Sequence, residues 1–207
     1  MQPASAGHRA SIRPYRPADR DAVYDVCVRT ADAGGDARGR YLSDDLMPDV
    51  FAGPYLELAP DLAFVLDAGG RAVGYVLGSA DTAAFAADVR RRWLPLMTGK
   101  YPPDGSYGGS EWLVRELYDP ERMVLPELAA YPAHLHVDVL RPYQGGGHGR
   151  ALIETFLAAA ARKGAPALHL GVAPANTRAL GFYEHLGFHR IPIRSREVGA
   201  VFLGRVL

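Results

Sequence analysis

Residues 136 to 156 read HVDVLRPYQGGGHGRALIETF. An alternating apolar segment runs into glycines at 145, 146, 147 and 149, and a helical pattern begins at once. Glycine at that density costs backbone entropy, so a bare backbone serves a purpose there. Strand, glycine turn and helix together bring unpaired N–H groups and the positive end of a helix dipole to one place, where an anion fits. Glycines let phosphate oxygens approach those amides with no Cβ in the way. The stretch predicts a cradle for a pyrophosphate. A nucleotide P-loop would need Lys followed by Ser or Thr, and neither follows here. The dinucleotide fingerprint Gly-x-Gly-x-x-Gly ends on Arg150 when counted from Gly145 and on Leu152 from Gly147, so it fails twice. A third pattern, Gln/Arg-x-x-Gly-x-Gly/Ala, fits Gln144-Gly145-Gly146-Gly147-His148-Gly149 throughout.

Around the loop the chain alternates strand and helix patterns. Ser11 to Tyr15 is a short strand candidate, and Pro17 and Asp19 open a helix with Val23, Val26, Cys27 and Thr30 on one stripe. Residues 32 to 60 form a long connector whose Tyr41, Leu46, Phe51, Tyr55 and Leu56 point to an ordered segment. Apolar runs at 62–67 and 72–78 flank Ala68-Gly69-Gly70 and predict a hairpin. A helix over 82–97 ending near Pro95, a loop over 98–110 and a partly helical 111–130 come next. Strands are expected at 133–140 and 167–172, helices at 147–163 and 176–186 closed by Gly164 and Gly187, and last strands near 189–194 and 199–206. This order predicts one α/β domain with a mixed sheet over residues 11–207, behind a flexible tail at 1–10.

Charge narrows the partners. Lys plus Arg and Asp plus Glu both total 23, so the chain has no basic footprint for nucleic acid. Arg90-Arg91-Arg92 reads as a solvated helix face. No run reaches the roughly 18 apolar residues of a membrane span. The start, MQPASAGHRAS, lacks the apolar middle of a signal peptide, so the expected compartment is the cytoplasm. Cys27 stands alone, which excludes an internal disulfide, and its apolar setting suits a small buried hydrophobe. A monomer and a homodimer are equally compatible with these features.

The strand before the loop carries the chemistry. His134, His136 and Asp138 alternate and so share one face, while Leu135, Val137 and Val139 take the other. A carboxylate inside a sheet needs a reason, which puts Asp138 first as a base or amine-orienting group, with His136 second and His134 third. Each histidine can equally be a hydrogen-bonding residue beneath a neighbouring helix. His-x-His-x-Asp also resembles the metal run of metallo-β-lactamase-type hydrolases. Here Val139 stands where the last His belongs and the other histidines follow no ligand spacing, so no metal is expected.

Val139 to Leu152 resembles the acyl-CoA loop of the GNAT superfamily of N-acetyltransferases. Asn176-Thr177-Arg178-Ala179-Leu180-Gly181-Phe182-Tyr183-Glu184-His185-Leu186-Gly187-Phe188 resembles that family's second motif. Upstream, DLMPDVFAGPYLELAPDLAFVL, GYVLGSADTAAFAADVRRRWLPLMTGKYP and YPAHLHVDV are similar to the acetyltransferase-like domain at the C-terminal end of O-GlcNAcases, over roughly residues 11 to 207. The animal domain is regarded as having a degenerate CoA loop, and here the loop is intact. The resemblance implies a GNAT fold: a mixed sheet of six to seven strands, splayed between the fourth and fifth and flanked by helices. It implies acetyl-CoA as co-substrate and direct transfer to an amine: a protein lysine, a small amine or an amino sugar. It implies that Gln144 to Arg150 hold the pyrophosphate, that the Val139 and Leu140 backbone lines the pantetheine, and that Tyr183 protonates the sulfur. Asn176 caps its helix, reaches the pantetheine, or does both; Arg150 adds charge at the phosphates or pairs with Glu154. Asp44, Asp45, Tyr101, Tyr107 and Trp112 are candidate walls for the acceptor. A module that holds CoA or a partner without chemistry is the alternative reading.

Overall fold

A computed structural model describes residues 10–32, 34–195 and 199–207; all but the last residue of the expected tail at 1–10 lies outside them. The elements are β1 (Ser11–Pro14), α1 (Arg20–Val28), α2 (Leu46–Phe51), α3 (Gly53–Leu58), β2 (Phe64–Ala68), β3 (Arg71–Ser79), α4 (Thr82–Asp88), α5 (Leu94–Met97), α6 (Glu111–Tyr118), β4 (Ala133–Val139), α7 (His148–Arg162), β5 (Ala167–Val172), α8 (Thr177–His185), β6 (His189–Ile191) and β7 (Val201–Val206). The seven strands form one sheet in the order β1-β2-β3-β4-β5-β7-β6. Only the β4–β5 pair is parallel, joined by α7 as a crossover.

Helical stripes supply the core. Leu152, Ile153, Phe156 and Ala160 of α7 are completely buried against β2, β3 and β4. Val23, Val26 and Cys27 of α1 pack on β3. A Cβ at Gly78 would strike Phe156, so the α7 face of β3 is closed by that ring. Alternation along the strand then turns Tyr75 to the opposite face, towards α1.

The connector at 32–60 is ordered, as its apolar residues require, and it holds two helices that its prolines conceal. Pro48 and Pro54 sit in the first turns of α2 and α3, where a missing N–H breaks no helical bond. Asp49 anchors α2 from within. It is 2% exposed and accepts hydrogen bonds from the Tyr24 hydroxyl (2.7 Å), the Tyr101 hydroxyl (2.9 Å) and Lys100 Nζ (2.8 Å). The Trp93 indole donates to its backbone carbonyl. The expected end of a helix at Pro95 is corrected. A π-helical turn, Val89–Trp93, joins α4 to α5, the Leu94 N–H reaches back to the Val89 carbonyl, and Pro95 falls in the first turn of α5.

The sheet opens at its middle. β4 stays paired with β3 from Ser79↔His134 to Gly74↔Val139, and β5 with β7 along its full length. Between them, β4 and β5 pair only at Ala133↔Leu168 and His134↔His169. Past His134 the two strands part, and His136, Val137 and Asp138 become half-buried. This is the expected splay. No described helix is long and apolar enough to cross a membrane.

Candidate active site

The glycine loop leaves the C-terminal end of β4. Gly145 and Gly147 have φ of 81° and 79°, a left-handed conformation that a Cβ makes costly. A Cβ at either would meet nothing within 4 Å, so backbone conformation and not crowding selects glycine there. Gly147 is the N-cap of α7 and brings no side-chain cap. The first bond into the helix is from the Ala151 N–H to the Gly147 carbonyl. Among the described residues, no acceptor faces any amide from Gly145 to Arg150. A row of open donors at a helix N-terminus fits a diphosphate.

The side chains of this loop turn inward. Gln144 Nε2 donates to the Val139 carbonyl at 2.8 Å, and His148 Nδ1 to the Tyr143 carbonyl at 2.9 Å. Arg150 Nε donates to Glu154 at 2.8 Å. Gln144 and His148 therefore shape the loop, and Arg150 takes the helical pairing; His148 and Arg150 offer their amides, while the Gln144 N–H donates to the Arg141 carbonyl. Leu140 is corrected as a pantetheine-lining group, because its N–H donates to the Val73 carbonyl on β3. Val137 and Val139 alternate with it, so their amides point into the gap between β4 and β5.

That gap widens into a cavity of about 390 Å³ whose walls include Cys27, His136, Asp138, Trp112, Asn176 and Tyr183. Asp138 Oδ2 accepts from the Tyr75 hydroxyl at 2.8 Å and lies 3.0 Å from His136 Nε2. Asp138 Oδ1 has no hydrogen bond to a described residue. His136 Nδ1 lies 3.2 Å from the Phe51 carbonyl. Both imidazole nitrogens thus face oxygens that only accept, and the doubly protonated ring satisfies both. Burial favours the neutral ring, but the Asp138 charge and these hydrogen bonds outweigh it and raise the His136 pKa.

Tyr183 is half-buried against Phe182 and Phe188, with ring centroids 5.3 and 5.5 Å away. Its hydroxyl has no hydrogen-bond partner among the described residues. Burial, then the Asp138 charge, pushes the phenol above its ordinary value, so it stays protonated. Asn176 accepts from the Ala179 N–H at 3.1 Å as the cap of α8 and borders the cavity as well.

Three expectations change. His134 is 7% exposed, with Nε2 at 2.9 Å from the Tyr55 hydroxyl and Nδ1 at 2.8 Å from Thr82 Oγ1. It does not line the Asp138 cavity, and burial, with His169 and His136 nearby, lowers its pKa to about 3. It is a packed, neutral residue that holds α3 and α4 to β4. Asp44 accepts from the Gly39 amide and Asp45 pairs with Lys100, and neither lines the Asp138 cavity. Tyr101 and Tyr107 are buried, and of the proposed walls Trp112 reaches the cavity.

Residue order did not point to Tyr75 or the Phe51 carbonyl. Tyr75 is opposite Asp138 in the β3–β4 register and is completely buried, a setting in which a phenol needs a partner. Cys27 is distant from the loop in sequence yet close to Asp138 in space. Burial first, then that carboxylate, pushes its thiol up to about 12, which leaves no thiolate to act as a nucleophile.

Residues 114–188 match the model of the acetyltransferase (GNAT) family. The crystal structure of SsHAT superposes with a TM-score of 0.89 at 52% identity, covering 95% of this chain and 98% of that one. Protein O-GlcNAcase of Rattus norvegicus and of Mus musculus are each 30% identical over 202 residues. Those matches cover 95% of this chain, which spans only 22% of the relatives' length. PH1933 from Pyrococcus horikoshii OT3 shares the fold, with a TM-score of 0.61 at 17% identity over 96% of this chain and 99% of that one.

Proposed function

Because the chain belongs to the acetyltransferase (GNAT) family, we propose that it is an N-acetyltransferase that moves the acetyl group of acetyl-CoA directly to a primary amine. The amine is carried by a protein lysine, a small molecule or an amino sugar, and the reaction is placed in the cytoplasm. The observation that carries this reading is the row of open amides from Gly145 to Arg150 beside a cavity holding Asp138, His136 and Tyr183.

Acetyl-CoA, when bound, supplies an acetyl group activated as a thioester. The amides of Gly145 to Arg150 hold its diphosphate, and the backbone of Val137 and Val139 lines the arm that follows. Asp138 keeps Oδ2 on Tyr75 and His136 and turns Oδ1 to the cavity. Oδ1 attracts an ammonium group and takes its proton. That step matters because an amine of pKa near 10.4 is neutral in only about one molecule in a few thousand at pH 7. His136, charged and held by Phe51, fixes the carboxylate in place. As the new C–N bond forms and the C–S bond breaks, Tyr183 Oη gives its proton to the leaving sulfur and regains the one the nitrogen loses on becoming an amide.

An acceptor screen with wild type, Asp138→Asn and Tyr183→Phe tests the assignment. Both variants are expected to bind acetyl-CoA normally and to turn over slowly. Identical turnover in all three would remove these residues from the chemistry. Coenzyme binding without turnover of any amine would make the chain a coenzyme-binding module.

A further inference from the structure

A second cavity, of about 600 Å³, adjoins the first; the two share Phe51, His136 and Gly171. His169 and Phe202 line its β5–β7 side. His169 is 5% exposed, and its Nδ1 lies 2.7 Å from the Tyr131 carbonyl, which can only accept. Nδ1 therefore carries the proton. Burial, opposed by that bond, lowers the ring's pKa and keeps it neutral, with a lone pair on Nε2. No described residue donates to Nε2. Every described buried side-chain nitrogen or oxygen sealed from solvent has a partner, so Nε2 opens onto free space.

Most other polar side chains of this cavity are engaged, and the Asp119 carboxylate at its rim is exposed to solvent. His134 is bonded at both nitrogens, His136 faces Asp138 and Phe51, and Glu116 pairs with Arg122. His169 Nε2 is an acceptor on a largely buried ring that no protein group completes, and a ligand N–H or O–H can take the place of water there. The His169 and His134 rings are 5.8 Å apart, and His136 is about 7 Å further along β4 by strand geometry. Nε2 therefore lies well beyond the reacting centre, with the rings of Phe51 and Phe202 among the walls of the same cavity.

We propose that His169 is a specificity residue for the acceptor: Nε2 accepts a hydrogen bond from an N–H or O–H on the body of a primary amine whose amino group lies at Asp138. The acceptor class is an amine with a flat or aromatic body and a hydrogen-bond donor at its end remote from nitrogen. The assignment rests on the acyl-transfer reading of the neighbouring cavity. His169 also borders an apolar hollow with Leu125 and Leu128, so the acceptor body is not confined at that point.

Tyramine and phenethylamine differ by one hydroxyl, and their binding in the presence of CoA is measured by calorimetry. Wild type is expected to prefer tyramine by about 10-fold, the effect of one hydrogen bond to a buried acceptor. His169→Asn retains a donor for the Tyr131 carbonyl, removes the Nε2 acceptor and brings the two amines level. His169→Gln places a carboxamide oxygen near the Nε2 position and recovers part of the preference. The tyramine KM follows these affinities while kcat changes little. Equal affinities in wild type, no saturable binding of either amine, or a preference that survives His169→Asn would overturn the proposal. The thermal shift with acetyl-CoA is read on the same wild-type protein. If that shift is absent while the tyramine preference holds, the acyl-transfer reading fails and the acceptor role with it, while the hydrogen bond from a bound amine to His169 Nε2 stands.

Discussion

Asp138 presents one oxygen to the protein and the other to the cavity. Asp138→Asn preserves the shape and is expected to lower turnover by about 10²–10⁴, the usual contribution of a positioned base, with the coenzyme thermal shift retained. His136 makes a separate prediction through pH. Its folded pKa is raised, so its ion pair contributes fully below the unfolded value near 6.5 and is lost as pH rises through the folded value. Chemical denaturation across pH should show His136→Gln costing more stability at pH 6 than at pH 9; an equal cost at both would remove the ion pair from the account. Asp138, His136 and Tyr183 could be named from strand alternation and a local motif. Tyr75 and the Phe51 carbonyl could not, because each reaches Asp138 or His136 from a distant segment, 63 and 85 residues away. His134 shows the limit of alternation, since it shares a face with His136 yet the neighbours that occupy its nitrogens come from α3 and α4.

At the scale of elements, α2 and the glycine turn set the site from opposite ends. Asp49 ties α2 to Tyr24, Lys100 and Tyr101, and α2 ends at Phe51, whose carbonyl holds His136. Asp49→Ala leaves the Tyr24 and Tyr101 hydroxyls without their acceptor and is expected to cost about 2–4 kcal/mol in denaturant titration. Turnover should fall beyond the loss of folded protein, because His136 loses its anchor. Gly147→Ala forces a left-handed alanine and is expected to cost about 1–2 kcal/mol while weakening the coenzyme shift. The glycine turn was legible because its conformation is written in consecutive residues. The helices of the 32–60 connector and the continuation through Pro95 were not, since prolines there sit in first turns or follow a π turn that only packing selects.

Over the whole molecule, coenzyme binding should register as stability. Acetyl-CoA at 100 times its Kd adds about 2.7 kcal/mol, a rise in melting temperature of roughly 5–10 °C for a chain of this size. No shift at millimolar acetyl-CoA would contradict the cradle at Gly145 to Arg150. The sequence by itself determined the succession of strands and helices, the open amides after β4 and the polar face of that strand. These are local properties: periodicity, left-handed turns and side-chain alternation depend on near neighbours along the chain. Only the tertiary structure decided how far β4 and β5 separate, which oxygen of Asp138 is free, and that His169 keeps an unpaired nitrogen beside the cavity. Those depend on register and burial set by segments many residues apart, which no local pattern encodes.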